Sequence, residues 1–194
     1  MKPINQFLIK LPKKFKDEID FAGGKLHLVN KFKEFEHRIN YGEIVGYPTT
    51  YKGKDCIGDT LYFHHHVVLE KRFDIGDNLF LVDYYPDGGY SNHSIAIEDK
   101  KGNISMLSDW CFVSVPEEDH SLKETDSGLV LIEHKPEPPT EGELLNIPKD
   151  FEWIGAKSGD IVGYTKNSDY LMHLSNGGKV FRMRATELVY VKED

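Results

Sequence analysis

An all-β chain, built as two β-barrels in tandem, is the architecture that three observations predict. Short apolar runs such as Phe7-Leu8-Ile9, Ile44-Val45 and Ile95-Ala96-Ile97 recur along the chain with almost no helical period. Turn-forming sequences such as Pro86-Asp87-Gly88-Gly89 and Asp99-Lys100-Lys101-Gly102 separate them. The order of these landmarks then occurs a second time.

The composition is that of a globular protein. The 194 residues are 39% hydrophobic and 29% charged, too apolar for a disordered chain. No stretch approaches the roughly 18 apolar residues of a membrane helix, so no membrane partner is expected. The N-terminus has no long apolar core after its lysine, which argues against a signal peptide. Cys56 and Cys111 both sit in apolar surroundings, as in a reduced cytoplasmic protein without disulfides. A formal charge of −8 excludes nucleic acid as the main partner, since phosphate binding needs a basic face.

Taken in order, Gln6 to Leu11 is an apolar run closed by Pro12, the pattern of an edge strand. Lys13 to Asn40 reads mostly as a long loop, broken by Ala22-Gly23-Gly24 ahead of Lys25-Leu26-His27-Leu28-Val29. Strands are predicted at Gly42 to Tyr47, at Thr60 to Phe63 after Gly58-Asp59, and within Asp77 to Tyr85. Ile95-Ala96-Ile97 and Ile104-Ser105-Met106 flank a predicted hairpin turn at Asp99 to Gly102. In the second half, Ser127-Gly128 leads into Leu129-Val130-Leu131-Ile132, and Glu133 to Glu141 is rich in Pro and Glu, as in an extended segment.

The two halves align by constant offsets. Leu8 to Pro12 falls on Phe112 to Pro116, and Gly24 on Gly128, at 104. Gly42-Glu43-Ile44-Val45 falls on Gly142-Glu143-Leu144-Leu145 at 100, and Gly58-Asp59 on Gly159-Asp160 at 101. Gly102 to Val115 also falls on Gly178 to Val191 at 76. The run Cys111 to Pro116 thus matches both an opening and a closing strand. The expected organisation is repeat 1 over residues 1–115, with an insertion around 69–93, and repeat 2 over residues 111–194, the two sharing the junction strand.

In this order the repeat resembles the GroES co-chaperonin family, over nearly the whole chain and twice. The residues that carry the resemblance are Ala22-Gly23-Gly24, Gly42 to Val45, Ile57-Gly58-Asp59 and Phe112 to Val115 in the first copy. In the second they are Ser127 to Leu131, Gly142-Glu143, Ser158 to Val162 and Glu187 to Val191. The resemblance implies GroES-like irregular β-barrels in a homo-oligomeric ring that caps a GroEL-type chaperonin over a folding client protein, without a cofactor. It implies that Gly23, Gly24, Leu26 and Leu28, with Gly128, Leu129, Val130, Leu131 and Ile132, form chaperonin-binding segments. The first segment departs from the family pattern at Lys25 and His27, which implies a weaker grip, a preference for another chaperonin, or no binding. The shorter segments at Ile44 to Ile57 and Leu144 to Ser158 imply a lid with a reduced roof, as in lids that viruses encode.

A second constellation points elsewhere. His64 and His66 would share a face of a strand, with Glu70 four residues on, a spacing close to the first metal motif of the cupin family. A second cupin motif is not convincingly present, and the corresponding stretch of copy two, Gly163 to Asp169, has no histidine. No nucleophile elbow or phosphate-binding glycine loop occurs, so no catalytic residue is expected and the protein is not expected to be an enzyme. The alternatives are a cupin-type metal-dependent enzyme and a structural protein of a virus particle.

Overall fold

The computed structural model describes residues 3–12, 18–21, 23–27, 38–87, 92–116 and 140–192. Among them every regular element is a β-strand, apart from three short 3-10 turns at His65–Val68, Lys149–Ile154 and Ala185–Glu187. No helix among the described residues is long and apolar enough to cross a membrane. The chain divides into two compact units, Met1–Ser108 and Asp109–Asp194.

The first unit contains β1 (Gln6–Lys10), β2 (Glu18–Phe21), β3 (Gly24–His27), β4 (Tyr41–Gly46), β5 (Thr60–Phe63), β6 (Asp74–Gly76), β7 (Leu79–Asp83), β8 (Ser94–Glu98) and β9 (Ile104–Met106). Seven of these form one sheet in the order β6-β7-β1-β4-β5-β8-β9, while β2 and β3 pair with each other alone. The second unit contains β10 (Trp110–Ser114), β11 (Glu141–Asn146), β12 (Ile161–Tyr164), β13 (Tyr170–His173), β14 (Lys179–Arg184) and β15 (Leu188–Val191). Its sheet runs β13-β14-β10-β11-β12-β15. Replacing each strand by its counterpart turns the second order into the first, with β9 left over.

The register repeats as well as the order. Ile9 faces Ile44 and Leu8 faces Gly46, with a bulge between Leu8 and Ile9. Val113 faces Leu144 and Phe112 faces Asn146, with a bulge at the same place. Gly42 faces Leu61 in one unit, and Gly142 faces Val162 in the other. The offsets of 104, 100 and 101 therefore mark corresponding positions in the two sheets.

Alternation explains which residues enter the core. A strand turns successive side chains to opposite faces. In β4, Ile44 is fully buried while Glu43 is exposed; in β7, Phe80 and Val82 are buried between half-buried Leu79 and Leu81. The first core joins Phe7, Ile9, Ile44, Leu61, Phe63, Val82 and Ile97. The second joins Cys111, Val113, Leu144, Val162, Tyr164 and Met183, with Val191 packed against it. The links after β4 and β11 fold back onto these cores. Tyr51 stands edge-on to Phe7 at 5.5 Å, and Ile147 and Ile154 pack on the second core. Both cysteines are buried free thiols. Burial pushes each thiol up to about 12, so they stay protonated and inert near neutral pH.

Several expectations change. Gln6 to Leu11 is not an edge strand: β1 lies between β7 and β4, because Pro12 falls beyond the last ladder residue, Lys10. The junction strand is not shared. A strand has two hydrogen-bonding edges, and those of β10 are taken by β11 and β14. The match at 76 is not a structural one. β15 occupies the place of β8, since Val191 faces Val162 as Ile97 faces Leu61. The stretch 69–93 carries β6 and β7, which hold the places of β13 and β14; the first unit's additions are longer links before β6 and before β8 and the extra strand β9. Barrel closure is not part of the pairing among the described residues. The first sheet ends on β6 and β9, three residues each, and the second on β13 and β15.

The matched core positions make a direct prediction. Ile44→Ala and Leu144→Ala should each destabilise the chain by about 2–5 kcal/mol in urea unfolding. Val189→Ala, at a residue 63% exposed, should change it by less than about 0.5 kcal/mol.

Candidate functional site

The segment between the first two main-sheet strands of each unit, β1 and β4 or β10 and β11, is where the implied binding residues fall. In the first unit it leaves β1 after Lys10 and returns at Tyr41 into β4, the strand antiparallel to β1. Its two ends are therefore pinned side by side while its middle is outside the seven-stranded sheet. Between β10 and β11 the two ends are likewise side by side.

Within this segment the sequence suggested mostly loop, but a β-hairpin forms. Glu18 pairs with His27, Ile19 with Leu26, Asp20 with Lys25 and Phe21 with Gly24. Only two residues connect Phe21 to Gly24, so the turn is tight. Gly24 has φ of +145°, a conformation that L side chains rarely adopt, though a Cβ there would meet no neighbouring atom within 4 Å. Its backbone therefore asks for glycine where the available space does not. Gly23 and Gly24 are exposed. Leu28 and the second copy's Gly128, Leu129, Val130, Leu131 and Ile132 lie outside the described residues.

The second candidate is the triple histidine. β5 is bulged between Tyr62 and Phe63 and ends at Phe63. His64 then caps a 3-10 turn formed by His65–Val68, its Nδ1 accepting a 3.4 Å hydrogen bond from the His66 backbone N–H. His64 and His66 thus come together through a turn rather than on one face of a strand. Their ring centroids are 4.5 Å apart and nearly parallel. His65, which sequence spacing left out, joins them, at 4.9 Å from His64 and 4.1 Å from His66. Glu70 does not join them: its carboxylate is 2.6 Å from Arg72 Nε. The cupin ligand set of His64, His66 and Glu70 is therefore not assembled. A turn lets three consecutive side chains converge, and period-two reasoning cannot foresee it.

Beside the turn, His93 Nδ1 lies 3.3 Å from Asp83 Oδ2, close enough to pair when His93 is charged but not placed as a hydrogen bond. The His64 backbone N–H donates to the His93 carbonyl at 2.9 Å, which ties the turn to the residue just ahead of β8.

In the second unit, Arg182 is buried between two rings, 4.1 Å from the centroid of Tyr170 and 4.7 Å from that of Trp110. Desolvation lowers its guanidinium to about 10, and Tyr170 partly offsets this. It remains charged at neutral pH, set against the two ring faces and hydrogen-bonded to Tyr170. Comparison with known proteins gives no matching family model and no matching curated relative.

The hairpin's independence from the main sheet is measurable. A lone two-stranded hairpin is marginally stable. Gly24→Ala should speed amide hydrogen exchange across residues 18–27, while the stability of the whole chain in urea moves by less than about 0.5 kcal/mol.

Proposed function

We propose that the chain is a co-chaperonin of the GroES type, which caps a GroEL-type ring and assists ATP-dependent folding of a client without binding nucleotide itself. One observation carries the reading. Two units share one strand order and one register, and each inserts a glycine-bearing segment with apolar residues between the same two strands. A duplicated scaffold that holds equivalent segments by both ends suits a lid that grips several equivalent sites on a ring.

The energetics favour such a division of labour. Burying one Leu, Val or Ile is worth about 1.5–3 kcal/mol. Ordering a loop residue costs roughly 1–2 kcal/mol. One segment alone therefore binds weakly and releases readily. Several on one assembly bind through effective concentration, yet can detach in turn. Leu129-Val130-Leu131-Ile132 is the stronger grip of the two. In the first copy, Leu26 and Leu28 alternate with Lys25 and His27, and the hairpin pairing of residues 18–27 reduces the ordering cost.

The links after β4 and β11 support a lid with a reduced roof, because Tyr51, Ile147 and Ile154 turn inward onto the cores. In this reading the lid works in the cytoplasm as a homo-oligomer of GroES-like barrels.

Co-sedimentation with a GroEL-type ring tests the proposal. Binding is expected in ATP or ADP and not without nucleotide. Changing Leu129, Val130 and Leu131 together to Ser should weaken it by at least about a hundredfold, given the apolar burial lost. Binding that ignores nucleotide, or survives the triple change, would refute it.

A further inference from the structure

We propose that His64, His65 and His66 form a binding site for one divalent transition-metal ion of the zinc class, a role separate from any grip on a chaperonin. His64 caps the turn from extended backbone, and the turn's first two residues, His65 and His66, would by turn geometry point about 120° apart, so the three would ordinarily diverge. Here their rings converge instead, with centroids 4.1–4.9 Å from one another. One ligand nitrogen from each lies within 4.8 Å of the other two.

The chemistry of that stack suits a cation with vacant orbitals. Three neutral rings present lone pairs that one ion can share. The His64 Nδ1 lone pair already points into the turn, where it accepts a long bond from the His66 N–H. Tetrahedral zinc with bonds of about 2.0–2.1 Å brings its nitrogens to about 3.3 Å from one another, so the nitrogens must close in and the stacked rings must tilt toward the ion to complete the site.

The backbone beneath the rings is already set. The Val67 N–H donates to the His64 carbonyl at 3.1 Å, the Leu69 N–H to the His66 carbonyl at 3.0 Å, and the His64 N–H to the His93 carbonyl. Val67 is fully buried in the first core, and His65 is buried as well. His64 is half-buried and His66 exposed, so an ion can enter from solvent and only the outer rings need to turn. Three protein ligands leave a fourth position open, which water or an outside donor would fill. The donor set is all nitrogen, so it selects Zn2+, Co2+ or Ni2+ over Mg2+ and Ca2+, which require oxygen.

The test is titration of the metal-free full chain with ZnCl2, followed by calorimetry, with CoCl2 absorption reporting the ligand set and MgCl2 as the hard-ion control. The proposal expects one Zn2+ per chain, a raised unfolding temperature on binding, and no response to Mg2+. His66→Gln, at an exposed position, should weaken Zn2+ binding by at least about tenfold, and the double change His64→Gln with His66→Gln should abolish the single-site isotherm. His173→Gln, on an exposed residue of β13, should leave it unchanged. Should His65→Gln fail to fold, His66→Gln decides the matter alone. An undiminished isotherm in His66→Gln overturns the proposal, as does weak binding of several ions, adventitious only. Chaperonin co-sedimentation by the metal-free chain is a separate readout, so the two proposals fail independently.

Discussion

Both sheets depend on one backbone arrangement. Ile44 and Leu144 are each fully buried, and each is clamped by the turn leading into the next strand of its sheet. The Ile44 N–H donates to the Asp59 carbonyl and its own carbonyl accepts from the Gly58 N–H, both at 2.8 Å. Leu144 makes the same pair with Asp160 and Gly159, again at 2.8 Å. Gly58 at φ +80° and Gly159 at φ +99° adopt the left-handed conformation that the turn requires. A one-residue slip would carry these side chains to the solvent face. The clamp therefore sets which residues of β4 and β11 are buried, and hence the register on β1 and β10.

That register gives each remaining feature its place. With β1 beside β4, the chain between them must leave and return at one end of these two central strands, and the glycine hairpin is built within it. With β5 beside β8, the turn after Phe63 lies against the segment holding His93, and the histidines collect there. The two candidate sites thus arise from separate strand pairs of one unit, and no chemistry links them. Buried Arg182 adds a local feature to the second unit alone, where a cation is held by Trp110 and Tyr170.

Much of this was legible in the sequence, for identifiable reasons. Gly42-Glu43, Gly58-Asp59 and their partners stood out because turns and close backbone approach restrict residue choice. A Cβ on Gly142 would come to 3.0 Å from the Ser114 carbonyl oxygen, and one on Gly42 equally close to that of Lys10. Alternation in β4 and β7 located the cores. The wrong offset of 76 had a physical source too. A strand reading Val-x-Val looks alike wherever it sits, and nothing in it says which neighbour takes its edges. Ile95-Ala96-Ile97, Val113-Ser114-Val115 and Val189-Tyr190-Val191 are interchangeable by pattern, yet only the first and last are counterparts. The convergence of His65 with its neighbours was hidden because a bulge and a turn replace the strand that spacing implied. The Glu70 pairing with Arg72 was hidden because the competing cation was two residues away in a turn.

The central claim is that the duplicated scaffold serves as a multivalent lid, and particle mass addresses it most directly. Native mass spectrometry of the full chain, alone and mixed with a GroEL-type ring and ATP, reads both assembly and capping. The account predicts a closed oligomer of defined subunit number, and a new species equal to the ring plus one such oligomer at an end. A chain that stays monomeric at micromolar concentration and leaves the ring's mass unchanged with ATP would contradict it.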